Sequence, residues 1–347
     1  MDAAPLGGGT GGQVMPAHGV RALSLLPLGM LAAGALAAQS LRPVHTYSIV
    51  AVDSATGEIG AAVQSHWFNV GALVIWAEPG VGAVATQSFV EPSYGPRGLD
   101  RMRAGVPAPK VLAELLRADR DSQVRQVAMV DAKGRGAAHT GSRNIPAAGH
   151  RVGRRYSVQA NLMRNDRVWP AMARAFESAD GDLADRLLAA LHAAQEAGGD
   201  IRGKQSAAIL VVSGDRTAAR WQRLVDLRVE DHPDPLRELD RLLTVSRAYR
   251  AATDGDNHVA AGRIDSALVD YRRASELLPD SATNGELAYW VGVTLADQGR
   301  VDESLPWFRR SFRLDSDWVT LLRRLPAVGL LKADSATLDR IVRDAGH

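Results

Sequence analysis

Four kinds of residue in this chain have chemistry to offer: a strand-opening threonine, an asparagine at a strand end, a few histidines and one Gly-rich polar loop. Thr46 opens the stretch Thr46-Tyr-Ser-Ile-Val-Ala-Val-Asp53. A threonine hydroxyl is a weak nucleophile unless a base lies beside it. At a chain terminus the free α-amino group, with a pKa of about 7.7–8.0, can be that base. A threonine that simply starts a strand is the structural alternative. In Tyr156-Ser-Val-Gln-Ala-Asn161, Gln159 and Asn161 stand two apart and so point the same way along a strand. An asparagine so placed can donate to an oxyanion.

Gly198-Gly-Asp-Ile-Arg-Gly-Lys-Gln-Ser206 sets Asp200, Arg202, Lys204 and Gln205 just before an apolar strand. Its glycines permit unusual backbone angles, and such a loop suits a carboxylate or amide substrate. A charged surface turn is the plain alternative. His66, His139 and His232 fall at strand ends or in loops, with no His-x-x-x-His pair, so no metal is expected. Neither a Gly-x-Gly-x-x-Gly nor a P-loop pattern occurs, so no nucleotide cofactor is expected, and none of any other kind. Gly-x-Ser-x-Gly is absent too, which argues against an α/β-hydrolase elbow. The chain has no cysteine, which excludes disulfides, a thiol nucleophile and thiolate metal sites.

These residues need a scaffold, and 347 residues suffice for two domains or for one with an appendage. At 46% hydrophobic and 23% charged, the composition is that of a globular protein with a real core. Net charge is +2, with acids and bases interspersed. Nothing recommends nucleic acid or anionic lipid as a partner. Arg151, Arg154 and Arg155 make the densest basic cluster and read as a solvated loop.

An uncharged apolar run follows Arg21, and Ala35-Leu-Ala37 supplies the small-x-small pattern of a signal-peptidase site. Residues 1–37 are therefore expected to be a signal peptide with leader, and 38–45 a short linker. The product would be exported, periplasmic or extracellular, without a stable membrane anchor; a retained anchor is the competing reading.

From Thr46 onward, hairpins are predicted at Tyr47–Gln64, turning near Gly57, and at Val124–His139. Ala83–Phe89, Tyr156–Ala160, Ala207–Val212 and Leu224–Val229 read as further strands. Glu91–Gly98 reads as a rigid loop, followed by helices over Leu99–Ala104 and Pro109–Arg117. Amphipathic helices are predicted over Trp169–Glu177 and Leu183–Ala194, the latter with Asp182 as N-cap, and an exit helix begins at Pro235. Hairpins, paired helices and then more strands imply an α+β domain in which helices cover a largely antiparallel sheet. Beyond about Ala248, Gly262–Ala274 aligns with Gly299–Ser311 at a spacing of 37. Tetratricopeptide repeats recur at about 34 residues. Residues 248–347 therefore read as a small all-α helical-repeat module, or alternatively as a helical hairpin packed on the main domain.

Over residues 46–245 the chain resembles the domain of unknown function 1028 family. The match is carried by His45-Thr-Tyr-Ser-Ile-Val-Ala51, Gly60-Ala-Ala-Val-Gln-Ser65, Gly80–Gln87 and Pro92-Ser-Tyr-Gly-Pro-Arg-Gly98. Ala138-His-Thr-Gly141, Tyr156–Asn161, Gly199–Ser206 and Asp226–Pro233 extend it. The resemblance implies a four-layer αββα sandwich like the N-terminal nucleophile hydrolases, which cleave amide bonds with an N-terminal Thr, Ser or Cys. It implies Thr46 as nucleophile and, by position, Asn161 as oxyanion donor, with His66 beside it. Asp200, Arg202, Gln205 and Glu91 are then the candidates for substrate binding. Signal peptidase should not cut after His45, because Pro43 and His45 occupy positions that need small side chains. Exposing Thr46 thus requires a second cleavage.

Two functions follow. One is an exported amidohydrolase acting on a small amide-containing substrate. The other is an inert hydrolase-like binding protein whose repeats recruit a peptide, protein or cell-wall partner. Homo-oligomerisation is compatible with either.

Overall fold

The structure is a computed structural model that describes Val44 and residues 46–346. The expected signal peptide, most of the linker and His45 lie outside the described residues. The chain runs through β1 (Thr46–Val52), β2 (Ile59–Ser65), the one-turn α1 (Gly71–Val74), β3 (Ile75–Glu78) and β4 (Gly82–Ser88). Then come α2 (Tyr94–Arg103), α3 (Ala108–Ala118), β5 (Arg125–Asp131), β6 (Gly136–Thr140), β7 (Gly149–Gly153) and β8 (Tyr156–Ala160). Next are α4 (Val168–Ser178), α5 (Leu183–Glu196), β9 (Ser206–Val212) and β10 (Val225–Val229). Six helices close the chain: α6 (Pro235–Ala260), α7 (Ile264–Leu277), α8 (Glu286–Asp297), α9 (Val301–Phe312), α10 (Asp317–Arg324) and α11 (Ser335–Asp344).

The class is α+β. One antiparallel sheet has the order β10-β9-β2-β1-β8-β7, and the other β3-β4-β5-β6. β1 is buried along its whole length because both faces are covered. Its period-2 alternation sends Tyr47, Ile49 and Ala51 toward α4, α5 and α6, where they meet Met172, Phe176, Leu187 and Leu239. Val50 and Val52 point the other way, into a cluster between the sheets that is rich in alanine and valine: Ala61, Val63, Ala83, Ala85, Ala128 and Val130. Small side chains there let the two sheets approach. On the far face of the second sheet, Val84, Val127 and Met129 pack on Leu99, Val111 and Leu112 of α2 and α3.

Local signals explain most boundaries. Gly57 turns the β1–β2 hairpin at φ +75°, a region closed to most side chains. Asp182 caps α5 as expected: it accepts the Asp185 amide, and the Asp185 carboxylate accepts the Asp182 amide in return. The stretch before Gly82, where the sequence suggests no element, holds α1 and the edge strand β3. Two expectations need correction. The predicted loop Glu91–Gly98 is already helical from Tyr94, because Pro96 falls in the first turn, where a missing N–H costs nothing. Arg151 belongs to the edge strand β7 rather than a loop, and its guanidinium pairs with Glu177 across to α4.

α6 continues unbroken from the sheet domain into the helical region. Leu236, Leu239 and Leu243 pack against the first sheet, while Ala248 and Ala251 belong to the helical core that follows. In that region one contact recurs at the spacing seen in the sequence. A Cβ at Gly255 would lie 2.7 Å from the Tyr271 ring, and one at Gly292 would lie 3.0 Å from the Phe308 ring. Each glycine lets an aromatic residue of the next helix press on its backbone. Gly262 and Gly299 end the first helix of each pair at φ +71° and +75°.

Phe308 is fully buried between Tyr289 and Phe312. Phe308→Ala should therefore cost about 3–5 kcal/mol in urea denaturation. A loss below about 1 kcal/mol would contradict this packing.

Candidate functional site

Antiparallel register gathers the ends of four strands at one end of the first sheet. Thr46 pairs with Ser65, Ser65 with Ser206, and Asn161 follows β8, whose Ala160 faces Tyr47. The same alternation that sends Val50 and Val52 between the sheets sends Thr46 and Ser48 there too. The second sheet answers with Gln87 from β4 and Gln126 from β5, in phase with Ala85 and Ala128. The result is a buried, uncharged seam of amides and hydroxyls.

Every bond in the seam has a definite direction. Gln87 Nε2 donates to Thr46 O at 3.1 Å and to Gln126 Oε1 at 2.6 Å. The Asn161 backbone N–H donates to Thr46 O at 3.1 Å. Asn161 Nδ2 donates to Gln126 Oε1 at 2.8 Å and reaches Thr46 O at 3.5 Å. Ser48 Oγ donates to Gln87 Oε1 and accepts from Gln159 Nε2, both at 2.6 Å. Gln126 Nε2 turns outward to Thr140 Oγ1, Ala160 O and Gly149 O. The Thr46 carbonyl is thus gripped from both sheets.

The Thr46 hydroxyl has a partner as well. Thr46 is wholly buried, and its Oγ1 donates to Val44 O at 3.0 Å. Val44 is itself tied across to the end of β4: its N–H donates to Ser88 O at 2.7 Å, and its carbonyl accepts the Ser88 N–H at 2.9 Å. Val44 therefore bridges the two sheets and caps the Thr46 hydroxyl.

The other predicted residues divide into those near this end of the sheet and one apart. Asp200 is 2% exposed and accepts from the Arg202 amide and guanidinium and, at 3.3 Å, from the His66 amide. Gln205 donates its backbone N–H to Ser65 O, accepts the His232 N–H, and contacts Asp231 through its side chain. These bonds sew the Gly198–Ser206 loop to the end of β2. The His66 side chain is exposed and lies against Gly203. On the helix-facing side of β1, Tyr47 donates its hydroxyl to Gln64 Oε1 and, at 3.1 Å, to Gln195 Oε1. Burial, then the charges of Asp200 and Asp234, push the Tyr47 phenol well above its usual range. Glu91 stands apart: its carboxylate accepts the Ser93 amide and its carbonyl accepts from Thr86 at the entry to α2. Among the described residues no group of three or more His, Asp or Glu could hold a metal ion.

Sequence reasoning missed Gln87 and Gln126, the core of the seam. Their signal is phase: each occupies an inward position of an Ala/Val strand, where a glutamine is out of place unless other polar groups meet it.

A family model described as a family of unknown function, DUF1028, matches residues 46–239. A crystal structure of a protein from Silicibacter pomeroyi, assigned to the same family model, is similar at 32% identity with a TM-score of 0.53. The similarity covers 57% of this chain and 88% of that one. No curated protein matches.

Gln126→Leu keeps the volume but strands buried partners on both sheets. It should destabilise the fold by at least about 2 kcal/mol in urea denaturation. An unchanged midpoint would mean that the seam carries no net stability.

Proposed function

This chain belongs to the DUF1028 family of unknown function, and from that premise we propose that its sheet domain is an N-terminal nucleophile hydrolase-like αββα sandwich that hydrolyses amide C–N bonds through Thr46. The single observation that carries the reading is the grip on Thr46. A threonine opening a central strand has its carbonyl held by three N–H groups from two sheets, in a buried site without charge. Helices on the outer face of each sheet and an apolar layer between the sheets supply the architecture the reading needs.

The chemistry begins with hydrolysis of the His45–Thr46 bond, which creates the α-amine. That amine, with a pKa near 8, takes the Oγ proton as the hydroxyl oxygen attacks the substrate carbonyl carbon. The C–N bond then breaks, the leaving nitrogen takes the proton, and a threonyl ester remains for water to hydrolyse. Asn161 has one N–H firmly on Gln126 and one only loosely on Thr46 O, and the loose one is the donor for the oxyanion. Releasing Val44 uncaps the hydroxyl and opens the gap at Ser88. Asp200, Arg202 and Gln205 shape the neighbouring loop, where a small amide substrate would enter beside His66. Export through residues 1–37 belongs to this reading.

A second reading has its own support. The recurring Gly255–Tyr271 and Gly292–Phe308 contacts suit a tetratricopeptide-like module that binds a peptide or protein. With Thr46 capped by Val44, the sheet domain would then be inert.

A panel of linear and cyclic amides separates the two. Wild-type chain should turn over at least one member. Thr46→Ala should lower that rate by at least about 100-fold, and Thr46→Ser should keep part of it. Equal turnover by Thr46→Ala would remove Thr46 from the chemistry, and none by wild type would favour the binding protein.

A further inference from the structure

A cleft of about 470 Å³ opens where β6 and β7 meet the start of α4. Its walls include Thr140, Ser142, Asn144, Gly149, His150 and Trp169, and among the described residues lining it there is no Asp, Glu, Lys or Arg. We propose that this cleft binds a planar, uncharged cyclic amide, a ring carrying C=O and N–H groups side by side.

The walls supply a donor, an acceptor and a flat face. Thr140 Oγ1 accepts from Gln126 Nε2 at 2.8 Å and lies 2.8 Å from His150 Nδ1. With the ring proton on Nε2, Nδ1 accepts the Thr140 hydroxyl and Nε2 is a donor for a carbonyl. Desolvation and then the neighbouring His139 shift the His150 imidazole below its usual range, which favours the neutral ring. The acceptor is Asn144. It is 8% exposed, and its Nδ2 donates to Arg125 O and Gly141 O, each at 2.9 Å. Its Oδ1 is buried without a hydrogen-bond partner among the described residues. Its surface is almost closed to solvent, so an N–H in the cleft reaches it only once the Asn144 amide turns toward the opening.

The flat face is Trp169. A Cβ at Gly149 would lie 2.5 Å from Trp169 Cζ2, so only glycine there lets the indole lie against the β7 backbone. The half-buried indole gives a planar ring an apolar surface. Charge is the discriminating property. A carboxylate or ammonium entering this neutral lining would lose hydration without gaining an ionic partner.

Gln126 bonds both to Thr140 of this wall and to the seam on Thr46, but the inference rests on the cleft alone. Its test is equilibrium binding without turnover, so a chain that hydrolyses nothing still tests it. The probes are uracil, which is planar and uncharged at pH 7, and orotate, the same ring bearing a carboxylate. Titration calorimetry on the full chain should show uracil binding at least about ten-fold tighter than orotate. Trp169→Ala should weaken uracil binding by about ten-fold or more. Because Trp169 also packs on the core, Ser142→Trp on the exposed rim serves as the second variant; it should block the cleft and give a similar loss while keeping the wild-type circular dichroism spectrum. The proposal is overturned if wild type fails to bind uracil or binds orotate as well. It is equally overturned if folded Ser142→Trp binds uracil like wild type.

Discussion

The two sheets of this protein are joined at one end by hydrogen bonds between side-chain amides. Gln87, Gln126, Gln159 and Asn161 occupy positions that alternation would otherwise give to alanine or valine; Gln87, Gln126 and Asn161 find partners across the two sheets, and Gln159 holds Ser48 from the neighbouring strand. In a buried, low-dielectric setting a satisfied network of this kind specifies one arrangement, and a partly satisfied one is costly. A one-residue slip of any of these strands within its sheet would reverse its inward side chains and leave the amides unpaired. The seam therefore acts as a register lock, and Thr46 is the backbone it locks.

Other features gain their meaning from that point. Val44 bridges to Ser88 because the end of β4 is held beside the start of β1. The Asp200 loop hangs from Ser65, the strand partner of Thr46, so a change at the loop is felt one residue pair away. α6 carries the same rigidity outward, since one uninterrupted helix packs first on the sheet and then in the helical region.

Much of this was legible in the sequence, and what was not has physical reasons. The β1–β2 hairpin, the β5–β6 hairpin, α4 and α5 announced themselves by period and by glycine or aspartate punctuation. The repeat spacing of the tail was readable too, and its structural basis is the glycine–aromatic contact made twice. β3 escaped because four residues, nearly all buried, show no alternation, and β7 because it is largely exposed and its arginine mimics a loop. In the sequence α2 reads as starting late because proline and glycine signal turns, although a first helical turn tolerates both. The seam was half visible. Asn161 was singled out by its place at a strand end, whereas Gln87 and Gln126 show their role only when two sheets are known to face one another.

The account turns on the bond between His45 and Thr46, because only its cleavage gives the gripped threonine a free amine and removes the carbonyl of Val44 from its hydroxyl. The most direct measurement is the intact mass of the purified chain in a fraction that hydrolyses amides. The account predicts a mass that begins at Thr46. An active fraction whose mass retains residues ahead of Thr46, such as a chain starting at Ala38 or Gln39, would contradict it.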